Sequence, residues 1–282
     1  MNIISQNKET TMKKASNKIM WTEMTRPELE TYLNKKSNPV VIIPLGSIEQ
    51  HGVQLPLGTD SLSAIEICKA IAKRTDSLVL PITWVGYSEH HMGFKGTITF
   101  SQDTLARIIM DTIKSLSRHG LKRVLIVNWH GGNKDTLHFA VKESSKKYKV
   151  NIITDSQEPE DPDAFTTLKN FDIHAGLGET AFMLNLFPEL VDIEKTKEWK
   201  PTVRLPKPIE KARRLCLERN ENCQQLLKIA MSYLPDTHIL TSSGVYGLTV
   251  IKDATKEEGK EFFDKVVDRL ANLIELWDEV EK

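Results

Sequence analysis

Cysteine is scarce in this chain, which has three among its 282 residues. Cys68, Cys216 and Cys223 are odd in number, and no two of them form a C-x-x-C pair. This argues against a disulfide framework and against a zinc site built from thiolates. We therefore expect all three cysteines to be simple structural thiols, either buried or on the surface.

The chain also lacks a net charge and a long apolar run. Its 38 basic residues balance its 38 acidic residues, so no electrostatic argument favours a nucleic acid or an anionic membrane as a partner. No apolar run approaches the roughly 20 residues that a membrane-spanning helix needs. We therefore expect neither nucleic acid nor membrane among the partners of this protein.

The first twenty residues lack the apolar core of a signal peptide and are rich in Lys, Asn, Ser and Thr. This composition predicts a disordered tail over residues 1–20 and a cytoplasmic protein. The rest of the chain shows no internal repeat and no clear linker. We predict a single domain over residues 21–282.

Patterns typical of covalent catalysis and of phosphate binding are missing as well. The sequence has no G-x-S-x-G elbow and no glycine-framed cysteine beside a matching histidine, so serine and cysteine nucleophiles are unsupported. Gly131 and Gly132, which follow Trp129 and His130, match neither a Walker nor a Rossmann phosphate loop.

Apolar strands and amphipathic helices alternate through the first half of the chain. Short β-branched runs predict buried strands, and apolar residues at helical spacing predict helices. The predicted strands are residues 40–45, 77–81, 123–128 and 149–154, and the predicted helices are residues 61–73, 101–118, 134–147, 178–187, 209–234 and 255–280. Such alternation implies an α/β fold with a mostly parallel sheet covered on both faces.

Three candidate metal ligands follow the first predicted strand. Glu49, His51 and Asp60 lie on the loop that leaves this strand, where open α/β sheets place their ligand sites. Alternate residues of an extended segment point the same way, so Glu49 and His51 aim at one point and Gln50 turns away. Glycines let the loop reverse and bring Asp60 to the same place. Carboxylate and imidazole ligands together suit zinc, manganese or iron.

Two further candidates follow later elements. His130 leaves the strand at 123–128, at the sheet edge shared with Glu49, and Glu179 opens a predicted helix. A second metal ion would need a shared carboxylate, which Asp60 or Glu179 can supply. Taken singly, Glu49 is better explained as a solvated carboxylate and His51 as a hydrogen-bonded structural histidine, and His130 could equally hold a turn together. Taken together, they favour a metal site.

Polar neighbours of these candidates receive simpler interpretations. Asn133 is predicted to cap the helix that begins at Lys134. Of the adjacent His90 and His91, only one is expected to point inward. Thr25 and Glu28 are predicted to form a capping box at the start of an early helix.

The motifs, in this order, resemble those of the creatininase family, the creatinine amidohydrolase-like metal-dependent hydrolases. They span most of the chain from Trp21 onward, and the first of them is highly specific. They are PLGSIEQHG at 44–52 with LPLGTD at 55–60, GFKGT at 93–97, NWHGGN at 128–133, HAG at 174–176 with ET at 179–180, and SGVYG at 243–247.

The resemblance implies a three-layer α/β/α sandwich with a mostly parallel central sheet. It also implies a centre of two divalent metal ions per subunit, either zinc or else manganese or iron. By position, Glu49, Asp60 and His130 would hold one ion. His51, Asp60 and a further carboxylate would hold the other, with Asp60 as the bridge.

The further carboxylate and the catalytic residues also follow from the resemblance. In creatininase itself a glutamate stands two residues after the histidine that matches His130, whereas this chain has Gly132 there. The resemblance therefore implies Glu179 as its substitute, with a metal-binding and catalytic role. His174 matches the histidine to which the family gives a proton-transfer role. Homo-oligomers, commonly hexamers, are expected.

The function that the resemblance implies is hydrolysis of a C–N bond, of amide or lactam type, in a small, cyclic, non-peptide substrate. A hydroxide that bridges the metals would attack the carbonyl carbon. Gly131 and Gly132 replace the aromatic and acidic pair of creatininase, which leaves the substrate open. One alternative is hydrolysis of a C–C bond in a cyclic diketone such as an oxidised inositol. Another is a non-catalytic metal-binding protein on the same fold.

Overall fold

The computed structural model describes residues 18–36, 38–156, 171–219, 225–226, 229, 232–233 and 235–281. Of the predicted tail over residues 1–20, residues 1–17 therefore lie outside the described residues. Its last residues belong to the fold, because Met20 forms a parallel bridge with Val79 and the carbonyl of Ile19 accepts a hydrogen bond from the Val79 amide.

A parallel sheet of four strands lies at the centre of the fold. Its strands are β1 (Val40–Leu45), β2 (Leu78–Val79), β3 (Arg123–Asn128) and β4 (Asn151–Ser156), in the order β2-β1-β3-β4. Every pairing in it is parallel. β1 and β3 are buried along their whole length, as expected of strands covered on both faces.

Helices cover both faces of this sheet. The helices that pack on it are α1 (Arg26–Lys35), α2 (Thr59–Thr75), α3 (Gln102–Arg118), α4 (Lys134–Tyr148), α5 (Leu177–Leu186) and α8 (Lys256–Val280). The other two described helices, α6 (Lys207–Arg219) and α7 (Thr237–Leu240), belong to a separate apolar cluster with Phe171 and Tyr246. Val40 and Ile42 of β1 pack with α2 and α8, whereas Val41 and Ile43 pack with α3 and α4. Alternate side chains of the strand therefore point into two apolar cores, one on each face of the sheet. This confirms the predicted three-layer sandwich.

Most predicted elements form within a few residues of their expected bounds. β1 and β3 have the predicted limits, whereas β2 is shorter than predicted and β4 begins later, at Asn151. Thr25 and Glu28 form the predicted capping box. Asn133 does not act as predicted, because its side chain makes no capping bond to α4.

The chain after α5 is less regular. Pro188–Leu190 and Ile193–Thr196 form single turns of 3-10 helix, and the helix predicted over 209–234 is described as α6 up to Arg219, with much of the remainder outside the described residues. Two short strands pair antiparallel across this region: β5 (Asp172–His174) lies before α5, and β6 (Tyr246–Gly247) lies after α7.

Two of the cysteines can be compared with expectation. Cys68 is a buried free thiol, as predicted. Cys216 is disulfide-bonded, so the expectation of a simple thiol is wrong at that position. None of the described helices has the length and apolar character required to cross a membrane.

Candidate metal centre

The candidate ligands meet at the carboxyl edge of the parallel sheet. Leu45 and Asn128, the last residues of β1 and β3, are register partners, so the loops that follow these strands leave the sheet side by side. One loop carries Glu49 and His51, and the other carries His130. Asp60 and Glu179 reach the same place from the first turns of α2 and α5.

Asn133 ties the loops together instead of capping a helix. Its amide nitrogen donates to the carbonyl of Gly46 at 3.0 Å and to Asn128 Oδ1 at 3.1 Å. Its amide oxygen accepts from the backbone of Tyr87 at 2.9 Å. Both amide hydrogens and the amide oxygen of Asn133 are therefore engaged away from the first turn of α4, to which the side chain makes no capping bond.

The imidazoles of His51 and His130 each face two carboxylates. His51 Nε2 lies 3.2 Å from Asp60 Oδ1 and 3.8 Å from Glu179 Oε2. His130 Nδ1 lies 3.1 Å from Asp60 Oδ2 and 3.3 Å from Glu49 Oε2. Asp60 thus presents one oxygen to each imidazole, and four of these five side chains are almost completely buried.

The opposite nitrogen of each ring fixes where its hydrogen lies. His51 Nδ1 is 3.1 Å from the carbonyl of Glu49, and His130 Nε2 is 2.9 Å from the carbonyl of Tyr87. A carbonyl only accepts, so each of these nitrogens donates and the inward nitrogen of a neutral ring carries a lone pair. That lone pair faces carboxylate oxygens, an arrangement that repels unless a cation lies among them.

Unpartnered buried atoms mark the same place. Within the described part of the chain, neither His51 Nε2 nor Asp60 Oδ2 makes a hydrogen bond, although both atoms are buried. Buried polar atoms are normally satisfied. The residues present therefore fit a divalent cation, since carboxylate oxygens and imidazole nitrogens with a fixed outer hydrogen bond are its usual ligands.

The electrostatics of the two rings agree with this interpretation. Burial alone would lower the pKa of His51, but the nearby carboxylates, first that of Asp60, outweigh it and raise the pKa to about 10. The pKa of His130 likewise rises to about 9 against the effect of burial, through Glu49 and Asp60. In the absence of a metal ion both rings would hold an extra proton.

The carboxylates respond to the same environment. Burial raises the pKa of Glu49 and raises that of Glu179 to about 7. Burial also opposes ionisation of Asp60, but His51 and His130 dominate and its pKa falls well below the usual range. Asp60, the carboxylate that both imidazoles share, is therefore the one held most firmly as an anion.

His174 joins the site with different properties. Its Nε2 lies 2.7 Å from the carbonyl of Gln50, so Nε2 carries the hydrogen. Its Nδ1 faces Glu49 Oε1 at 3.6 Å. Burial, assisted by the neighbouring His51, lowers the pKa of His174 well below its usual value. His174 is therefore neutral, with its unprotonated nitrogen Nδ1 turned into the site.

His91 and Gln50 also belong to the site, although sequence reasoning did not select them. His91 is the inward member of its pair, with Nε2 3.4 Å from Glu49 Oε1, while the ring of His90 stacks on that of His130. The buried amide nitrogen of Gln50 lies 3.0 Å from His91 Nδ1. These contacts are long-range, and no local signal in the sequence indicates them.

Two buried hydroxyls orient the same ligands. Ser47 Oγ donates to Glu49 Oε2 at 2.8 Å and lies 2.6 Å from Ser88 Oγ. Ser88 Oγ in turn lies 3.3 Å from His130 Nε2. Supporting hydrogen bonds of this kind hold metal ligands in place and influence their affinity.

Comparison with known proteins identifies the family. The family model described as Creatinine amidohydrolase matches residues 22–274, which is most of the chain. The chain belongs to the creatininase family.

Relatives within the creatininase family carry the names of different hydrolases. Creatinine amidohydrolase of Pseudomonas putida is 31% identical over 196 residues, 62% of this chain and 75% of that protein. Mycofactocin precursor peptide peptidase of Mycobacterium tuberculosis is 32% identical over 186 residues, 61% and 67% of the two chains. 3-dehydro-scyllo-inosose hydrolase of Thermotoga maritima is 28% identical over 197 residues, 67% and 62% of the two chains.

A solved structure shows the same fold. A mutant creatininase of Zn-Zn type superposes with a TM-score of 0.71 over 92% of this chain and 98% of that chain, at 23% identity. At this identity the likeness concerns the fold alone, and it agrees with the three-layer sandwich described above.

In this member of the creatininase family, Gly132 has no room for a side chain. A Cβ built there would lie 2.3 Å from the carbonyl oxygen of Tyr87 and 2.5 Å from His130 Nε2. A glutamate at this position could not reach the centre without moving the loop. Glu179 lies beside the His51 ring, and its Oε2 accepts a hydrogen bond from the amide of Ala175 at 2.5 Å.

Proposed function

We propose that this chain is a metal-dependent hydrolase that cleaves a C–N bond, of amide or lactam type, in a small cyclic substrate. One observation carries the proposal. His51 and His130 each donate one ring N–H to a backbone carbonyl and turn the other nitrogen toward two carboxylates. Divalent ions with nitrogen and oxygen ligands suit such an arrangement.

Two ions are proposed to share this centre. Glu49, Asp60 and His130 would hold one, and His51, Asp60 and Glu179 would hold the other. In each set, one potential ligand atom from every residue lies within 4.8 Å of the others. Asp60 is the proposed bridge because its two oxygens face different imidazoles. When bound, the ions would lower the pKa of water and polarise a substrate carbonyl.

His174 is the proposed proton carrier. Its Nε2–H is engaged by the carbonyl of Gln50, so its Nδ1 alone is available on the side of the site that holds Glu49. This nitrogen would take a proton from the attacking water and return it to the leaving nitrogen. The products are then a carboxylic acid and an amine, with the elements of one water molecule added across the C–N bond.

The class of substrate is the open part of the proposal. The relatives named above act, by their names, on a cyclic amide, a peptide and an oxidised inositol. We favour a small substrate because most of the proposed ligands are almost fully buried, Glu179 being the most exposed of them. A peptide C–N bond and the C–C bond of a cyclic diketone are the competing substrates.

Elemental analysis of the purified protein, followed by a substrate panel, tests the proposal. The metal found would be used, alongside zinc, manganese and iron, with lactams, formamides, short peptides and ring diketones. Turnover of a lactam or formamide that a chelator abolishes and the metal restores is the expected result. Turnover of diketones alone would favour C–C hydrolysis, and turnover of peptides alone a peptidase. Bound metal with no turnover would favour a non-catalytic metal-binding protein.

We also propose a homo-oligomer, with a hexamer as the first candidate. Large apolar side chains are exposed on the loops around the site, among them Leu57, Trp84 and Ile98. Such side chains are frequent at protein interfaces. Light scattering after size exclusion is the direct test, and a monomer at micromolar concentration would contradict the proposal.

The cytoplasmic location remains a prediction.

A further inference from the structure

Gln50 occupies an unusual position among the histidines of the site. Its amide nitrogen lies 3.0 Å from each of His91 Nδ1, His174 Nε2 and the carbonyl of Gly244. Its amide oxygen accepts from the backbone of Gly52 at 3.1 Å. The side chain is 5% exposed, so all of these contacts are shielded from bulk water.

The orientation of this amide is fixed by its backbone partners. Gly52 offers an N–H, which requires the oxygen of Gln50, and Gly244 offers a carbonyl, which requires the nitrogen. Gly244 adopts a φ of +83°, and a Cβ at this residue would lie 1.9 Å from Gln50 Oε1. Only glycine therefore allows the amide to lie where it does.

Counting hydrogens then assigns each contact. The amide nitrogen has two hydrogens and three neighbours within 3.0 Å. His174 Nε2 already donates to the carbonyl of Gln50 at 2.7 Å, so it cannot also accept. The two amide hydrogens therefore go to the carbonyl of Gly244 and to His91 Nδ1.

This assignment fixes the tautomer of His91. Because Nδ1 accepts, the hydrogen of the neutral ring is on Nε2, which faces Glu49 Oε1 at 3.4 Å. The ring also packs against that of His174, with centroids 4.2 Å apart. A hydrogen bond from the amide of Gln50 thus determines which atom His91 presents to a proposed metal ligand.

We propose that Gln50 is a positioning residue for two histidines of the site. Its side-chain amide sets the tautomer of His91, which in turn orients Glu49. Its backbone carbonyl holds the Nε2–H of His174, which leaves Nδ1 of that ring as the proton acceptor. The inference rests on the proposed function for the role of His174, but the tautomers themselves do not depend on it. Supporting residues of this kind act through their neighbours, and their loss commonly costs about 10–100-fold in activity or metal affinity.

Gln54 provides a matched control on the same loop. Its amide is also buried, and it donates to the carbonyl of Ala175 at 2.7 Å and to Thr180 Oγ1 at 3.1 Å. None of its recorded bonds among the described residues is to an imidazole. Gln50→Met and Gln54→Met therefore remove equivalent buried amides, and only the first removes a hydrogen bond to a histidine.

The test is long-range proton–nitrogen NMR of the zinc-loaded protein labelled with ¹⁵N-histidine, combined with zinc content and kinetics. In the parent protein we expect the Nε2–H tautomer for both His91 and His174. In Gln50→Met we expect His91 to lose its single tautomer and kcat to fall about 10–100-fold, with KM and zinc content within twofold. Gln54→Met is expected to keep the parent tautomers whatever its stability.

A second variant keeps the inference testable if Gln50→Met does not fold. Gln50→Glu has the same shape but offers no hydrogen to His91, so the ring should adopt the Nδ1–H tautomer. Parent tautomers in both Gln50 variants, or an Nδ1–H tautomer of His91 in the parent protein, would overturn the inference. A parent protein inactive on every substrate would refute the proposed function, while the spectra would still decide the role of Gln50.

Discussion

Asp60 Oδ1 and His51 Nε2 lie 3.2 Å apart in the interior of the protein, yet the His51 nitrogen makes no hydrogen bond within the described residues. His51 donates its other N–H to the carbonyl of Glu49. A neutral ring would therefore set a lone pair against a carboxylate, and a buried polar atom without a partner costs about 1–3 kcal/mol. A cation between the two atoms, either a proton or a metal ion, would stabilise this pair.

Replacing the proposed bridge should remove both metal and activity. In Asp60→Asn we expect turnover to be abolished and metal content to fall, because both proposed ions lose an anionic oxygen. Metal analysis after dialysis and a turnover assay measure this. Asp111→Asn on the exposed face of α3 is the control and should match the parent protein. Full metal occupancy in Asp60→Asn would contradict the bridging role.

Replacing the proposed proton carrier should separate activity from metal binding. His174→Ala is expected to keep its metal and to lose about 10²–10⁴-fold in kcat, the usual effect of removing a general acid–base group. His138→Ala, which removes an exposed histidine of α4, should leave both quantities unchanged. If His174→Ala lost metal in proportion to activity, His174 would be a ligand instead.

Metal binding should release protons near neutral pH. The pKa values of His51 and His130, about 10 and about 9 in the metal-free site, lie above their usual value, so both rings are protonated at neutral pH and must deprotonate to bind a metal. Affinity for zinc should therefore rise with pH up to about 10, the higher of the two values, and less steeply above about 9.

Calorimetric titration in buffers of different ionisation enthalpy would count these protons. His51→Gln should release fewer protons than the parent protein, and His138→Ala should release the same number. An affinity that is independent of pH across this window would show that the rings are neutral before the metal binds.

The two glycines after His130 should differ in their tolerance of a side chain. A Cβ at Gly132 would overlap the carbonyl of Tyr87 and the His130 ring, whereas a Cβ at Gly131 would meet nothing within 4 Å. We expect Gly132→Ala to destabilise the fold by about 1–3 kcal/mol through overpacking and to weaken metal binding. Gly131→Ala should have the same melting temperature as the parent protein. Equal melting temperatures for the two variants would contradict this account.

Much of the frame could be read from the sequence because it depends on local patterns. The runs at 40–45 and 123–128 are apolar and β-branched over a strand's length, and they form β1 and β3 with these limits. Glu49 and His51 share a loop and a direction, so their convergence follows from the period of an extended chain. The position of the candidate ligands at one edge of the sheet follows because parallel strands end together there.

Other features were decided only by tertiary structure. Asn133 was predicted to cap its helix, but its side chain makes hydrogen bonds to Gly46, Tyr87 and Asn128 instead. Gln50 was expected to turn away from the point at which Glu49 and His51 aim. Its amide instead contacts His91 and Gly244, which come from distant parts of the chain.

The sequence by itself determined the family and the layers of the fold and indicated the candidate site residues, since motif and hydrophobic period are local properties. The tertiary structure decided which nitrogen of each imidazole carries hydrogen. It also left Gly132 no room for a side chain and placed Glu179 beside His51. Those choices depend on backbone carbonyls and side chains that are far apart in sequence and meet only when the chain is folded.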